Sequence, residues 1–185
     1  MHQKFIYECI DCGKQFDTSK TIYLCPNCSK ENNDSTPPKG VFRIVYNFSE
    51  ILKKNILFRT FKKNNFLDLL PINDKLSLPK LKIGQTPLYK FEKLNNQKLV
   101  FNLYLKDDSQ NPTFSFKDRA SAVVSAFAKE KGFDTIVAAS TGNAGSSLAG
   151  ICASQNQKAI VMVPEKAPLA KLTQIIIKLI GALAQ

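Results

Sequence analysis

The sequence predicts an α/β protein in which a parallel sheet with flanking helices follows a small cysteine-rich module. The 185 residues are 44% apolar, so the chain can bury a core for one domain and a small appendage. Four of the five cysteines lie in two pairs within the first 28 residues. Beyond Pro112, apolar runs of strand length alternate with stretches of helical periodicity, which is the pattern of βαβ units.

Composition divides the chain into three parts. We predict a cysteine module over residues 1–33, a linker over residues 34–40 and an α/β region over residues 41–185. The linker is indicated by its polar residues and by the pair Pro37-Pro38. No charged-then-apolar leader begins the chain, and no run of about 18 apolar residues occurs. We therefore expect a cytoplasmic protein with no membrane partner.

The chain is basic, with a formal net charge of +11. Lysine and arginine exceed the acidic residues by 13 to 8 in residues 1–80 and by 13 to 7 in residues 81–185. Because no segment concentrates the excess, we expect no nucleic-acid partner. Two explanations of the charge stay open, a solvated surface bias and an acidic small-molecule ligand such as a phosphate ester.

The cysteine module has the spacing of a metal site. Its two knuckles are CIDC and CPNC, which place Cys9, Cys12, Cys25 and Cys28 with twelve residues between the pairs. Two such knuckles supply four soft ligands for a tetrahedral structural Zn²⁺ in a zinc-ribbon-like fold. Two disulfides or a redox dithiol are the alternatives, which a reducing cytosol and the lack of a βα unit disfavour. The fifth cysteine, Cys152, lies in a helical stretch, where we expect a buried apolar role.

Residues 41–105 give fewer signals. The segment VFRIVYNF at residues 41–48 alternates like a strand, residues 50–63 are consistent with a surface helix, and LVFNLYL at residues 99–105 is typical of a strand. Three prolines, at positions 71, 79 and 87, mark extended passages.

The last third of the chain carries the βαβ pattern. In chain order, the predicted elements are helix 118–131, strand 135–139, helix 143–155, strand 159–163 and helix 168–180. Ser115 and Asp118 resemble the N-terminal cap of the first of these helices. Since ligands of parallel sheets bind at the carboxyl ends of the strands, we expect a site where STGNAG, residues 140–145, follows the first strand.

Lys117 stands at the beginning of the first predicted helix, inside NPTFSFKDR at residues 111–119. Burial against Phe114 and Phe116, together with the positive end of a helix, would favour its neutral, nucleophilic amine. A surface lysine paired with Asp118 is the alternative interpretation. Either way, the lysine and the loop at residues 140–145 occupy two neighbouring strand-to-helix corners.

The STGNAG loop is typical of a carboxylate site. It offers backbone donors at a helix N-terminus and the side chains of Ser140, Thr141 and Asn143. Gly142 and Gly145 would let the backbone approach a ligand. A dinucleotide loop is the rival interpretation, but the full glycine fingerprint is absent.

At these residues the chain resembles the pyridoxal-phosphate enzymes of the tryptophan-synthase-β fold type, fold type II, and within them the threonine synthase family. SFKDR together with STGN is a specific combination. The segments that carry the resemblance are PTFSFKDR around Lys117, STGNAG, the strand ending VMVP at Pro164, IGQTPLYK at residues 83–90 and the cysteine module.

The resemblance implies a role for each site residue. Lys117 would hold pyridoxal 5'-phosphate as a Schiff base and later move the substrate's protons, and Phe116 would lie near the cofactor ring. Asn143 would hydrogen-bond the phenolic oxygen of the cofactor. The residues implied for the substrate carboxylate are Ser140, Thr141, Asn143 and Ala144.

The reaction implied by the resemblance converts O-phospho-L-homoserine and water to L-threonine and phosphate, in a lyase. The sequence leaves the oligomeric state open, with a homodimer as the candidate. One residue departs from the family pattern, since Phe114 stands where the commoner form has glycine. The family's glycine-rich loop for the cofactor phosphate, and its hydroxyl residue at the pyridine nitrogen, would lie beyond Gln185. We therefore expect residues 1–185 alone to be a fragment that binds the cofactor poorly and turns over little.

Two other functions stay open from the sequence. Serine or threonine dehydratases and amino-acid β-replacement enzymes have similar lysine and asparagine motifs. The alternative from another class is a zinc-ribbon binding module on a non-catalytic α/β domain, which would bind nucleic acid in a salt-dependent way.

Overall fold

A computed structural model describes residues 3–53 and 57–180 of the chain. The chain forms two compact units, Met1–Lys75 and Leu76–Gln185. No helix in the described ranges has both the length and the apolar character needed to cross a membrane.

The first unit is built on a three-stranded antiparallel sheet. Its central strand buries alternate side chains, those of Phe5, Tyr7 and Cys9, as the two-residue period of a strand requires. Both neighbours contribute aromatic partners, with Phe16 opposite Tyr7 on one edge and Tyr46 opposite Phe5 on the other. The elements are β1 (Phe5–Cys9), β2 (Gln15–Phe16), β3 (Phe42–Tyr46), α1 (Phe48–Lys53), α2 (Phe58–Lys63) and 3-10 helices Cys28–Glu31 and Leu67–Leu69.

The strand predicted within residues 41–48 is present as β3, and it pairs with β1. The sheet that carries the cysteines therefore uses residues beyond the predicted linker, and the compact unit that contains it spans Met1–Lys75. The physical reason is that β1 has backbone hydrogen-bonding groups along both edges, and β2 pairs with only two of its residues. Strand β3 pairs with β1 along the other edge. The surface helix predicted over residues 50–63 is found as α1 and α2, with residues 54–56 outside the described ranges.

The second unit begins with an exposed antiparallel hairpin. Its turn residues Asn95 and Asn96 both have positive φ angles, 48° and 63°, which a two-residue hairpin turn of the primed type requires. The strand predicted at residues 99–105 is the core of the second hairpin strand. The elements of this unit are β4 (Leu88–Leu94), β5 (Gln97–Lys106), α3 (Lys117–Glu130), β6 (Thr135–Ala139), α4 (Asn143–Ser154), β7 (Lys158–Met162) and α5 (Leu169–Ile180). A 3-10 helix at Asp108–Gln110 follows the hairpin, and another spans Lys75–Ser77.

The predicted βαβ unit is present. Strands β6 and β7 are parallel, with Thr135 opposite Lys158 and Ala139 opposite Met162, and α4 forms the connection between them. The predicted bounds of β6, α4 and β7 each agree with the structure to within one residue.

A small apolar core lies between this sheet and its helices. It contains Ala128 of α3, Ile136 of β6, and Leu148 and Cys152 of α4. Cys152 is fully buried, as the sequence predicts, and burial raises the pKa of its thiol to about 11. Because the thiolate is the nucleophilic form, this cysteine is an inert core residue.

Candidate active site

Helices α3 and α4 are parallel neighbours. The Ser147 hydroxyl donates to Asp118 Oδ1 at 2.6 Å, and its Oγ lies 2.8 Å from Ser121 Oγ. Near the other end, Gln155 donates to Ser125 Oγ at 2.8 Å. The contacts therefore advance towards the C-terminus along α3 and α4 together. Both helices therefore begin at the same end of the pair, where their first residues are Lys117 and Asn143.

Lys117 is half-buried at this end. Its backbone N–H donates to Ser115 Oγ at 3.2 Å. The N-cap residue is Phe116, which makes no side-chain cap hydrogen bond, so the cap predicted from Ser115 and Asp118 is not formed. The Nζ atom lies 4.8 Å from the centroid of the Phe116 ring. Among the described residues, no carboxylate forms an ion pair with this amine. The predicted alternative of a surface pair with Asp118 is therefore absent.

The two phenylalanines do not enclose the lysine as the sequence suggested. Phe114 is 76% exposed and Phe116 is 58% exposed, and the Phe114 ring lies 5.8 Å from the Nζ of Lys178 instead. The physical reason is the backbone of Phe114, which adopts a left-handed φ of 63° and donates its N–H to the carbonyl of Asn111 at 2.8 Å. Left-handed geometry costs a residue with a Cβ roughly 1–2 kcal/mol, which explains why glycine suits this position.

Asp118 joins the segment before Lys117 to α4. Its side chain is fully buried and accepts from the Thr113 N–H at 2.7 Å, from the Thr113 hydroxyl and from Ser147. Lys178 donates to the Thr113 carbonyl at 2.7 Å. The sequence suggested a helix cap or an ion pair with Lys117 for Asp118. Its hydrogen bonds instead join Thr113, five positions away, and Ser147, 29 positions away, and the second of these is one that no local pattern reports.

The STGNAG loop is shaped by its own serine. Ser140 Oγ accepts from the N–H groups of Gly142 and Gly145 at 3.2 and 3.1 Å. A Cβ at Gly145 would lie 2.6 Å from the Ser140 carbonyl oxygen, so only glycine fits there. The hydroxyl oxygen of Ser140 therefore already accepts two hydrogen bonds within the loop, and the hydroxyl can still donate its proton to a ligand.

Three backbone donors remain at the beginning of α4. Within the described residues, no hydrogen bond involves the N–H of Thr141, Asn143 or Ala144, or the side-chain amide of Asn143. Unpaired N–H groups at a helix N-terminus, with the positive end of the helix dipole, are a suitable site for a carboxylate. The loop therefore places these donors at the same end of the helix pair as Lys117.

An ion pair between Asp108 and Arg119 lies near the beginning of α3. Arg119 binds Asp108 in a bidentate manner, with both N···O distances 2.8 Å, and Thr86 also donates to Asp108 at 2.7 Å. Gly84 packs against this guanidinium, since a Cβ there would lie 2.6 Å from Arg119 Nη1. The network links IGQTP, residues 83–87, to the helix that begins with Lys117.

The Asp108 network predicts a stability loss in acid. The hydrogen bonds from Arg119, then that from Thr86, hold the pKa of Asp108 well below its usual range. A carboxyl whose pKa is lowered on folding stabilises the native state above its unfolded pKa of about 3.9, and this contribution is lost as the pH falls through the folded value. We expect the urea concentration at the unfolding midpoint to decrease when the pH is lowered below about 4. This decrease should be smaller in Asp108→Asn. The same acid dependence in Asp108→Asn and in the exposed control Asp134→Asn would contradict this expectation.

The four paired cysteines of the first unit also come together. All four Sγ atoms lie within 4.8 Å of one another, with Cys9 to Cys28 and Cys12 to Cys25 each at 3.8 Å. A disulfide needs about 2.05 Å between sulfurs, so these are thiols. The cluster has the donor set of a metal site, and the distances are compatible with a bound ion.

Comparison with known proteins finds a matching family model and several similar proteins. The family model described as pyridoxal-phosphate dependent enzyme matches residues 79–182. The chain is 36% identical over 174 residues to a threonine synthase of Methanocaldococcus jannaschii, covering 91% of this chain and 40% of that protein. It is 31% identical over 170 residues to a threonine synthase of Methanosarcina acetivorans, covering 90% of this chain and 39% of that protein.

A relative with another name matches a shorter region. Cysteine synthase 1 of Emericella nidulans is 34% identical over 104 residues, which is 54% of this chain and 27% of that protein. The chain spans about 40% of the length of the threonine synthases that it matches over most of its own length. The family match covers Lys117, the STGNAG loop and both helices that position them. The chain belongs to the pyridoxal-phosphate dependent enzyme family.

Proposed function

We propose that this chain supplies the lysine and the carboxylate site of a threonine synthase, which converts O-phospho-L-homoserine and water to L-threonine and phosphate. The observation that carries the proposal is the parallel packing of α3 and α4, because it brings Lys117 and the free N–H groups of α4 to one end of the helix pair. The similarity to two threonine synthases supports this choice of reaction.

The residues present fit the reactive side of pyridoxal 5'-phosphate. Lys117 has an amine without a carboxylate partner among the described residues, and Phe116 offers a ring beside it. Asn143 is exposed, and its amide has no hydrogen-bond partner in the part of the chain that the structure describes, so it can bind the phenolic oxygen of the cofactor. No residue in the described part of the chain is assigned to bind the cofactor phosphate or the pyridine nitrogen.

In this mechanism the bound cofactor supplies an electron sink that permits proton removal from the substrate. Lys117 would hold the cofactor through its amine, and the same side chain would act as the base and acid at the α and β carbons of the substrate. The N–H groups of Thr141, Asn143 and Ala144 hold the substrate carboxylate, which fixes the α carbon near the lysine. Ser140 keeps the loop in the shape that exposes these donors.

The test is an assay of the full-length protein with several candidate substrates. With added pyridoxal 5'-phosphate, we expect phosphate release and threonine formation from O-phospho-L-homoserine, and little 2-oxoacid from serine or threonine. 2-Oxoacid from serine without phosphate release from O-phospho-L-homoserine would overturn the threonine synthase assignment and support a dehydratase. The similarity to cysteine synthase 1 favours a β-replacement enzyme as the runner-up.

We also propose Zn²⁺ as the ion of the four-cysteine cluster, in a structural role separate from the reaction. Four thiolates fill a tetrahedral coordination sphere and leave no position for water or substrate. The small-molecule substrate in the proposal is an amino-acid phosphate ester. A homodimer in the cytoplasm stays a prediction.

A further inference from the structure

The spacing of the four sulfurs agrees with that around a tetrahedral metal. Zn–S bonds of about 2.3 Å place neighbouring sulfurs of a tetrahedron about 3.8 Å apart. The Cys9–Cys28 and Cys12–Cys25 pairs are both at 3.8 Å, and no pair exceeds 4.8 Å. The cluster is therefore close to the geometry that the ion requires before any adjustment of the chain.

The cluster joins the central strand of the sheet to a segment without regular secondary structure. Cys9 ends β1, and Cys12 follows in a turn closed by the Gly13 N–H to the Cys9 carbonyl at 2.9 Å. Cys28 begins a 3-10 helix with no buried residue. Between β2 and that helix, residues 17–27 contain no helix or strand. A metal would tie this irregular segment to the central strand of the sheet.

Gly40 connects the two knuckles. Its N–H donates to Asp11 Oδ2 at 2.7 Å, and its carbonyl accepts from the Cys25 N–H at 2.8 Å. It has a left-handed φ of 86°, and an added Cβ would lie 3.1 Å from the Cys25 backbone nitrogen. A side chain here would therefore strain the backbone and push on a cysteine ligand.

The described apolar core of this unit is small. The residues with buried apolar side chains are Phe5, Tyr7, Cys9, Cys25, Ile51 and Ile72, so two of the six belong to the cluster itself. Units of this size are marginal from hydrophobic burial alone, and a structural metal can supply the missing free energy. Because ligands gather around a metal only in the folded state, metal binding then becomes folding free energy.

We propose that Zn²⁺ binding by the four cysteines is what folds the unit Met1–Lys75, with Asp11 and Gly40 as positioning residues for the two knuckles. The inference rests on the zinc assignment proposed above. It makes the folding of β1 and β3 dependent on metal, while β6 and β7 of the other unit fold without it.

The test is hydrogen exchange on the full-length protein, prepared metal-free under reducing conditions and then titrated with Zn²⁺. We expect amides of β1 and β3 to exchange freely without metal and to become protected on addition of one equivalent, while protection of β6 and β7 stays unchanged. Cobalt in place of zinc should give the visible absorption of a four-thiolate site. Cys12→Ala should abolish both effects, and the matched control Cys152→Ala should retain them.

The outcomes separate the two claims, and neither readout uses the enzymatic reaction. Protection of β1 and β3 before any metal is added would overturn the folding inference, even with a four-thiolate cobalt spectrum that upholds the metal site. A missing thiolate–cobalt spectrum would overturn both. Gly40→Ala tests the positioning role, with an expected loss of about tenfold or more in zinc affinity. An unchanged affinity would remove Gly40 from the proposal.

Discussion

Asp118→Ala is expected to lower the free energy of unfolding of the Leu76–Gln185 unit by about 3 kcal/mol or more. The reason is what the buried carboxylate leaves behind. Without it, the Thr113 N–H, the Thr113 hydroxyl and the Ser147 hydroxyl each lose an acceptor. A buried donor without a partner costs about 1–3 kcal/mol. The measurement is the urea midpoint of the full chain, followed through hydrogen exchange in α3 and α4.

Two variants make this measurement specific. Asp134→Ala removes an exposed aspartate whose side chain accepts from its neighbour Thr135, and we expect less than about 0.5 kcal/mol from it. Asp118→Asn keeps an acceptor of similar shape but places an amide N–H₂ among donors, so we expect an intermediate loss. If Asp118→Ala were as stable as Asp134→Ala, the carboxylate would not be what holds the segment before Lys117 on α4.

Lys117→Ala is expected to reduce the proposed phosphate-releasing activity by more than about a thousandfold while the fold is retained. A positioned acid or base alone contributes about 10²–10⁴ to a rate, and here the same amine also binds the cofactor. The side chain makes one ring contact and no ion pair among the described residues, so its removal should leave the urea midpoint nearly unchanged. The measurement is kcat for O-phospho-L-homoserine in the full-length protein, with pyridoxal 5'-phosphate in excess.

The matched control lies at the other end of the same helix. Lys129 is exposed in the last turn of α3, so Lys129→Ala changes charge and helix propensity without touching the site. We expect its kcat to stay within about twofold of the unmodified protein, since ordinary surface substitutions change stability by less than about 0.5 kcal/mol. Equal losses in the two variants would show that the effect of Lys117→Ala is not chemical.

The sequence predicted the βαβ half of the fold well because its signals are local. Helical periodicity in α3 and α4, the apolar run of β6 and the glycines after it each report on a few neighbouring residues. Strand β4 was missed because charged and apolar residues mix along it and all of its side chains are exposed. The pairing of β3 with β1 was also missed, since a strand's partner is not written in its own residues.

The features of the candidate site also fall into those with a local sequence signal and those without one. Lys117 and the STGNAG loop were visible in the sequence because each motif is contiguous. The buried role of Asp118, the orientation of Phe114 towards Lys178 and the internal hydrogen bonds of Ser140 depend on backbone angles or on distant partners. The structure also narrows the backbone donors for a carboxylate to three N–H groups, which a motif alone cannot select.

The central claim is that the amine of Lys117 and the beginning of α4 form the reactive side of the cofactor site. Its most direct test is reduction with borohydride in the presence of pyridoxal 5'-phosphate, followed by peptide mapping of the labelled lysine in the full-length protein. We predict one dominant label at Lys117, and less label there when O-phospho-L-homoserine is added first. A label spread over surface lysines such as Lys129, with none enriched at Lys117, would contradict the account.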